Sequence, residues 1–387
     1  MRAPRLPQEE DFDHRLRGPA LTTRVGRWLG ICFAVALVTG LVSHWAYLPD
    51  PAVPFPTRPV WGYRLTQGLH VAAGTAAVPL LLVKLWSVYP RLFARPPRGS
   101  WRPLVGHLLE RGSIAALVAS AIFLVSSGVA NVAHWYPWAF SFRSTHGAVA
   151  WIAGGALLVH LAVKLPVIRA ALAAPVTEGE PAEQEPSTSG AMSRRGLLRA
   201  TGAAAAVAVL ATVGSTVPLL RRISVLGVRS GEGPQGVPIN KSAVAAGVVA
   251  LARDPAYRLT VAFGDSERSW SRDELAALPQ RSAELPIACV EGWSASGVWS
   301  GVPLRHLLDL VGAPRGAAVR VESLQPSGPF RASTLPGQFA DDPLTLVALE
   351  LAGEELALDH GYPARLIAPD RPGVLQTKWV SRIEVLS

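Results

Sequence analysis

Apolar and polar positions divide this chain into two parts built for different surroundings. In the first part the apolar residues come in long unbroken runs. Five of them, over 25–47, 65–88, 114–135, 147–168 and 201–220, are each long enough to cross a bilayer as a helix of about 20 residues. From 221 onward the runs shorten and alternate with Pro- and Gly-rich turns. Strands are predicted over 257–263, 285–290, 319–323, 345–349, 364–367 and 381–385, an amphipathic helix over 302–311 and a capped helix over 271–277. Ser271 and Glu274 stand at the spacing of a capping box. The pattern predicts an all-α membrane bundle of four helices plus a fifth anchor helix, followed by an α+β domain.

Charge adds an orientation. The chain of 387 residues carries a formal net charge of +9. The excess arginines flank the apolar runs and form no basic helix of the kind that reads nucleic acid. Arg2, Arg5, Arg15, Arg17, Arg24 and Arg27 precede the first run. Arg91, Arg95, Arg98, Arg102 and Arg111 lie between the second and third, Lys164 and Arg169 at the end of the fourth, and Arg194, Arg195 and Arg199 before the fifth. The alternate connections hold only Arg58, Arg64 and Arg143. The excess of cations on inner loops then predicts an N-terminus inside and the α+β domain outside a bacterial cell membrane. Between the two parts, 174–189 is rich in Pro, Glu, Ser and Thr and reads as a disordered cytoplasmic linker. The predicted divisions are 1–172 for the four-helix part, 173–192 for the linker, 193–220 for the fifth helix and 221–387 for the outer domain.

Histidines within a bilayer are costly and therefore functional candidates. His146 and His160 are fourteen residues apart, close to four helical turns, so both face one way about 21 Å apart along the axis. This pattern resembles the haem-binding helix of membrane b-type cytochromes of the cytochrome b561 kind. Each haem needs a second axial ligand from another helix. The resemblance implies an outer haem b on His70 and His146, and a further inner one on His107 and His160. His44 and His134 are alternatives at the outer site. Spans one and two also look like a copy of spans three and four: His44-Trp45 parallels His134-Trp135, and 81–85 parallels 157–161.

Before the fifth run stands Ser193-Arg194-Arg195-Gly196-Leu197-Leu198-Arg199. It is close to the twin-arginine signature, which implies export of a folded passenger by that machinery.

In the outer domain Cys289 is the sole cysteine, within Ala288-Cys289-Val290-Glu291-Gly292-Trp293-Ser294. A lone thiol outside the cytoplasm is an oxidation liability, and a thiolate is a soft metal ligand. Further on come His360-Gly361-Tyr362-Pro363-Ala364-Arg365 and Gln376-Thr377-Lys378-Trp379. Together these segments resemble the sulfite oxidase family of molybdenum enzymes, which includes periplasmic methionine sulfoxide reductases. The resemblance spans 237–386. It implies that Cys289 binds molybdenum, and that Asn240, Ser323, His360, Arg365, Gln376, Thr377 and Lys378 contact molybdopterin. Trp299 to Leu304 match the stretch that follows the cysteine. Two positions depart from the family: Leu349 stands where sulfite oxidases place a tyrosine, and Ala243-Val244 stand where the sulfoxide reductases place a Tyr-Glu pair.

The chain thus reads as a membrane-anchored molybdopterin-dependent oxidoreductase that moves an oxygen atom to or from a small sulfoxide- or sulfite-like substrate, with quinone exchanging electrons through one or two haems b. The rival is a b-type cytochrome whose outer domain has lost catalysis. A third reading is a binding module that keeps the fold without a cofactor.

Overall fold

A computed structural model of the chain describes residues 16–48, 52–93, 101–173, 192–227 and 233–386. The linker expected over 174–189 lies outside the described residues, as do Arg2, Arg5, Arg15, Arg95 and Arg98. Five long helices open the chain: α1 (Pro19–Ala46), α2 (Gly62–Val88), α3 (Trp101–Val132), α4 (Phe142–Ala173) and α5 (Arg194–Thr212). Each is long and apolar enough to cross a membrane. Their large apolar side chains point outward: Trp151 is 65% exposed and Leu158 70%. In water so much bare apolar surface would be an aggregation liability; in lipid it is the ordinary outer face of a spanning helix. The polar residues turn inward instead, with Ser120, Ser127 and Asn131 of α3 all buried. Lys84 spends its ammonium on the Thr22 carbonyl (3.0 Å), and Lys164 pairs with Glu110. Buried groups in a bilayer must find such partners, because no water is there to replace them.

The fifth helix is shorter than the apolar run. It ends at Thr212, and 213–220 forms two short 3₁₀ turns, Val213–Ser215 and Pro218–Leu220. Pro218 has no N–H to continue the ladder.

The outer domain carries the short helices α6 (Ala243–Ala246), α7 (Val249–Ala252), α8 (Arg272–Ala276), α9 (Leu304–Leu310) and α10 (Gly337–Ala340). Its strands are β1 (Leu259–Phe263), β2 (Ser266–Trp270), β3 (Arg281–Ala288), β4 (Ser294–Pro303), β5 (Val319–Ser323), β6 (Ala332–Leu335), β7 (Leu346–Leu351), β8 (Glu354–Glu355), β9 (Arg365–Ile367) and β10 (Val380–Val385). One sheet has the order β2-β1-β10-β5-β6, with β1 and β10 parallel. The other runs β3-β4-β7-β8, with β9 also paired to β7. The six expected strands all form, with boundaries shifted by a few residues. The helix expected over 302–311 is a strand end followed by a helix. Val302 and Pro303 pair with β7, and α9 starts only at Leu304 with Pro303 before it. The Ser271–Glu274 capping box is present.

By the density of internal contacts the chain forms two units: the residues up to Val38 with His70–Thr212, and Thr39–Leu69 with Val213–Ser387. The second unit thus takes in the C-terminal end of α1 and the N-terminal end of α2. Ala46, Phe55 and Tyr63 belong to the same buried apolar cluster as Leu304, Leu307, Val347 and Ile383.

Candidate functional site

The outer site begins at a hairpin. β3 and β4 pair from Arg281↔Gly301 to Ala288↔Ser294, so Cys289 is the first residue of the loop between them. Its N–H donates to the Trp293 carbonyl (2.9 Å), and its own carbonyl accepts from Gly292 N–H (3.1 Å). These bonds fix a side chain that is only 2% exposed. Cys289 Sγ lies 3.7 Å from Glu291 Oε2, which also accepts from Trp293 Nε1 at 3.2 Å. Burial first, and then the Glu291 charge, raise the thiol well above its usual range. A bound cation reverses that logic, because a coordinating thiol is held deprotonated.

A small cavity brings Cys289 together with Asn240, Trp293, Arg365 and Lys378. Topology explains how such distant residues meet. β9 lies in one sheet and β10 in the other, so 368–379 crosses between them, with Arg365 just before the crossing and Lys378 near its end. Gly361 allows the close approach. It has φ 114°, and a Cβ there would sit 3.1 Å from Lys378 Cβ and 3.2 Å from Arg365 Cβ. Trp379 is held at φ 53°, a strained conformation for a bulky side chain that costs about 1–3 kcal/mol. It is kept there by full burial and by a bond from Nε1 to the Leu358 carbonyl (2.7 Å).

The other expected contacts frame the cavity rather than line it. Ser323 Oγ donates to the Lys378 carbonyl (2.8 Å), and Thr377 Oγ1 meets Ser333 Oγ (2.9 Å). The Gln376 side chain clamps the Ala368 backbone, accepting from its N–H (2.6 Å) and donating to its carbonyl (3.1 Å). His360 is 1% exposed, edge-on to Trp299, with Nε2 2.6 Å from the Pro234 carbonyl.

The buried charges at the cavity, and on the stretch that leads into its wall at Gly373, do not balance. Arg365 and Arg371 are both 4% exposed and Lys378 is 8%. Among the described residues none of the three has an ion-pair partner. Arg365 Nη1 donates to the His360 carbonyl (3.1 Å) and Arg371 Nη2 to the Thr334 carbonyl (2.6 Å), but Arg365 Nε and Arg371 Nε and Nη1 are buried with no acceptor. Burial lowers both guanidinium groups to about 9, so they stay charged at neutral pH. Burial, followed by the Arg365 charge, brings Lys378 down to about 7. Burial and then Arg365 hold His360 at about 4, so it is neutral. With Nε2–H given to Pro234, His360 Nδ1 is a buried acceptor without a donor. Unpaired buried cations are costly unless an anion completes them. The chemistry of this set is complementary to an anionic group that carries a phosphate, ring N–H donors and a metal for the thiolate. Arg371 and Glu291 were not singled out from the sequence. An arginine in Ala-Pro-Asp-Arg-Pro-Gly has the look of a surface turn, and only the fold buries it.

Among the helices, His70 and His146 meet. Their ring centroids are 6.2 Å apart with planes at 63°. His70 Nδ1 lies 2.9 Å from the Ala36 carbonyl, so Nδ1 carries the proton and Nε2 has the ligand-capable lone pair. His146 Nδ1 is 3.0 Å from Ser127 Oγ. Such bonds are what orient a ligating imidazole. Among the described residues no ring contact joins His107 to His160.

Comparison with known proteins agrees with the outer site. Residues 246–387 match the family model of the oxidoreductase molybdopterin binding domain. The catalytic subunit MsrP of a protein-methionine-sulfoxide reductase from Gluconobacter oxydans is 34% identical over 119 residues, 26% of this chain and 36% of that protein. A sulfite oxidase of Arabidopsis thaliana is 33% identical over 114 residues, 25% of this chain and 29% of that one. A provisionally named protein-methionine-sulfoxide reductase subunit, YedZ1 of Azospira oryzae, is 35% identical over 130 residues, 33% of this chain and 48% of the relative. The chain spans less than half the length of each of these relatives. Lone thiol, unbalanced buried cations and family match coincide on one stretch of chain: behind its apolar helices the protein carries a sulfite oxidase-like, molybdopterin-binding oxidoreductase domain.

Proposed function

We propose that this chain is a membrane-anchored molybdenum oxidoreductase that exchanges an oxygen atom with a small sulfoxide- or sulfite-like substrate outside the cell membrane. Electrons pass between its outer site and quinone through haem b held by the helices. One observation carries the reading: the fold gathers Cys289, Asn240, Arg365 and Lys378 around one cavity from four separate stretches of chain. When bound, molybdopterin supplies two-electron oxygen-atom exchange and haem supplies one-electron transfer. Cys289 would hold the metal. Arg365 and Lys378 would grip the phosphate, with Arg a planar fork and Lys a point charge. Arg371, though unforeseen, has the free donors to join them. His360 Nδ1 would accept from a pterin N–H, and Asn240 would contact the pterin at the open side. Ser323, Gln376 and Thr377 hold the backbone that presents these groups. Trp293 walls the cavity and keeps water from the metal side.

In the helices His70 and His146 would hold one haem. Their rings meet with centroids 6.2 Å apart, and each would supply one imidazole nitrogen to the iron. His107 and His160 remain the proposed inner pair. The names of the relatives, two of them sulfoxide reductase subunits and one a sulfite oxidase, support a sulfur-oxo substrate. Leu349 is buried in the apolar core, so no phenol stands at that position to assist the chemistry. The linker and twin-arginine segment support export of the domain already folded around its cofactor.

The test is turnover by detergent-purified protein from molybdenum-replete cells. Oxidation of reduced viologen by a small sulfoxide establishes the reductive direction, and reduction of ferricyanide by sulfite the oxidative one. Neither activity in protein that contains molybdenum would overturn the substrate class.

A further inference from the structure

The connection between α1 and α2 does more than link two helices. Within the second unit Phe55, Arg58, Tyr63 and Arg64 of this stretch each contact the domain of 233–386. Phe55 and Tyr63 are buried to 5% and 2% exposure in the domain's own core. Trp45 packs edge-on against Phe55 at 4.8 Å, and Gln338 Nε2 donates to the Phe55 carbonyl (3.2 Å). Arg58 makes a two-pronged bond to Asp342, Nη1 to Oδ2 at 2.8 Å and Nη2 to Oδ1 at 3.0 Å. Arg64 Nη1 donates to Ser296 Oγ (2.9 Å) on β4.

The second anionic contact is Asp370. Its carboxylate sits at the N-terminus of α2, accepting from Tyr63 N–H, with both oxygens 3.0 Å from where a Gly62 Cβ would be. A helix of 27 residues presents its open N–H groups and partial positive charge there. Asp370 is itself 3% exposed and held at φ 49°, a conformation Asp tolerates better than most residues. The next residues form the cavity. Pro372 bridges in parallel to Ala288, the neighbour of Cys289. Gly373 lines the cavity, its Cβ position 2.9 Å from Ile287 and 3.1 Å from the Ala288 carbonyl. One residue, Arg371, therefore separates the carboxylate that caps α2 from the backbone braced against the cysteine strand.

We infer that the first outer connection is a built-in clamp on the cofactor cavity, with Asp370 as its positioning residue: by capping α2 it holds the 370–373 wall against Ala288 and Cys289. Asp342 and Arg58 fasten the other end. For its consequence, though not for its test, the inference rests on the cavity being the molybdopterin site.

The experiment is hydrogen exchange on the full chain in detergent, following the amides of 285–293 and 371–376. Asp370→Ala removes the acceptor, and Asp370→Asn keeps an oxygen at the same place. The expected result is at least tenfold faster exchange in both segments for Asp370→Ala, near wild-type exchange for Asp370→Asn, and no change in β1 or β5. Equal exchange in all three proteins overturns the clamp, as does a rise spread over the whole domain. If Asp370→Ala fails to fold, Arg58→Asp opens the clamp from its other end. Arg58→Asp combined with Asp342→Arg should then restore slow exchange, and failure to restore it also counts against the clamp. Molybdenum content is measured on the same samples. Metal-free wild-type protein would defeat the functional reading while leaving the exchange result to decide the clamp by itself.

Discussion

The helical part and the outer domain both gather functional side chains, but by different means. In the helices, the meeting of His70 and His146 follows from two helices lying side by side and from local bonds, Ala36 to one ring and Ser127 to the other. In the outer domain nothing local suffices. Asn240, Cys289, Arg365 and Lys378 converge because a hairpin and a crossing between two sheets place them so. The two regions also differ in what they leave unsatisfied. Among the helices the half-buried cations Lys84 and Lys164 find a carbonyl and a carboxylate. In the C-terminal domain Arg365, which lines the cavity, and Arg371, two residues before Gly373 of its wall, keep buried donors without acceptors. A bilayer forbids unmet polar groups, whereas a cavity built for an anionic cofactor requires them until the cofactor arrives.

The largest expected effect comes from Cys289→Ser. Changes behind a metal ligand typically cost about 10–100-fold in affinity, so loss of the ligand itself should cost more. Turnover should fall below detection and molybdenum should be absent by elemental analysis, with the haem spectrum unchanged. A fall in haem as well would show that the regions are not separable in the way described. The converse substitution is His146→Ala. It should remove one b-type haem equivalent from the reduced-minus-oxidised spectrum and abolish quinol-driven turnover, while dye-driven turnover at the outer site continues. Ser127→Ala should weaken the same haem by roughly 10–100-fold, as loss of an orienting hydrogen bond does, seen as haem dissociation on dilution.

Gly301→Ala probes the scaffold. Its Cβ would stand 2.1 Å from the Val347 carbonyl oxygen and 2.6 Å from Ala348 Cα, at the bulge where β4 meets β7. Overpacking of this kind costs about 1–3 kcal/mol, read as a lower Tm of the outer-domain transition with the haem spectrum intact.

The smallest effect belongs to Asp370. Burial raises its carboxyl from 3.8 to about 6, opposed by the Tyr63 N–H bond and the Arg58 charge. The folded chain therefore holds this proton more tightly than the unfolded chain. Stability from this group is full below pH 4, falls as pH rises from 4 to 6, and stays low above 6. Asp370→Asn should flatten that step, so that the Tm advantage of the variant grows as pH rises from 4 to 6 and is complete above 6. An equal Tm difference at pH 4 and pH 7.5 would contradict the assignment.

Much of this was legible in the sequence, and unevenly. Long apolar runs announce spanning helices because lipid leaves few alternatives. The His146–His160 spacing marks a helix face, but the partner His70 is confirmed as a neighbour only by the packing. In the outer domain the motifs around Cys289, Arg365 and Lys378 stood out. Strand β4 did not, because Ser-Ala-Ser-Gly-Val-Trp-Ser-Gly-Val-Pro lacks alternation. It lies between β3 and β7, where small residues such as Gly301 permit close backbones. β2 reads Ser-Glu-Arg-Ser-Trp and is an edge strand, polar for that reason. The buried Arg371 and the fastening of 52–64 onto the outer domain depend on contacts between residues up to about 300 positions apart in the chain, and no local pattern encodes them.

The central claim is that one chain joins a molybdenum site on Cys289 to a haem site among its helices. Elemental analysis with a dithionite-reduced-minus-air-oxidised spectrum, on detergent-purified full-length protein and on Cys289→Ser, tests it most directly. The account predicts one molybdenum per chain, lost in the variant, and a b-type α-band present in both. Haem without molybdenum in the wild type would leave a cytochrome with a vestigial outer domain. Molybdenum retained by Cys289→Ser, or no haem in either protein, would contradict the account.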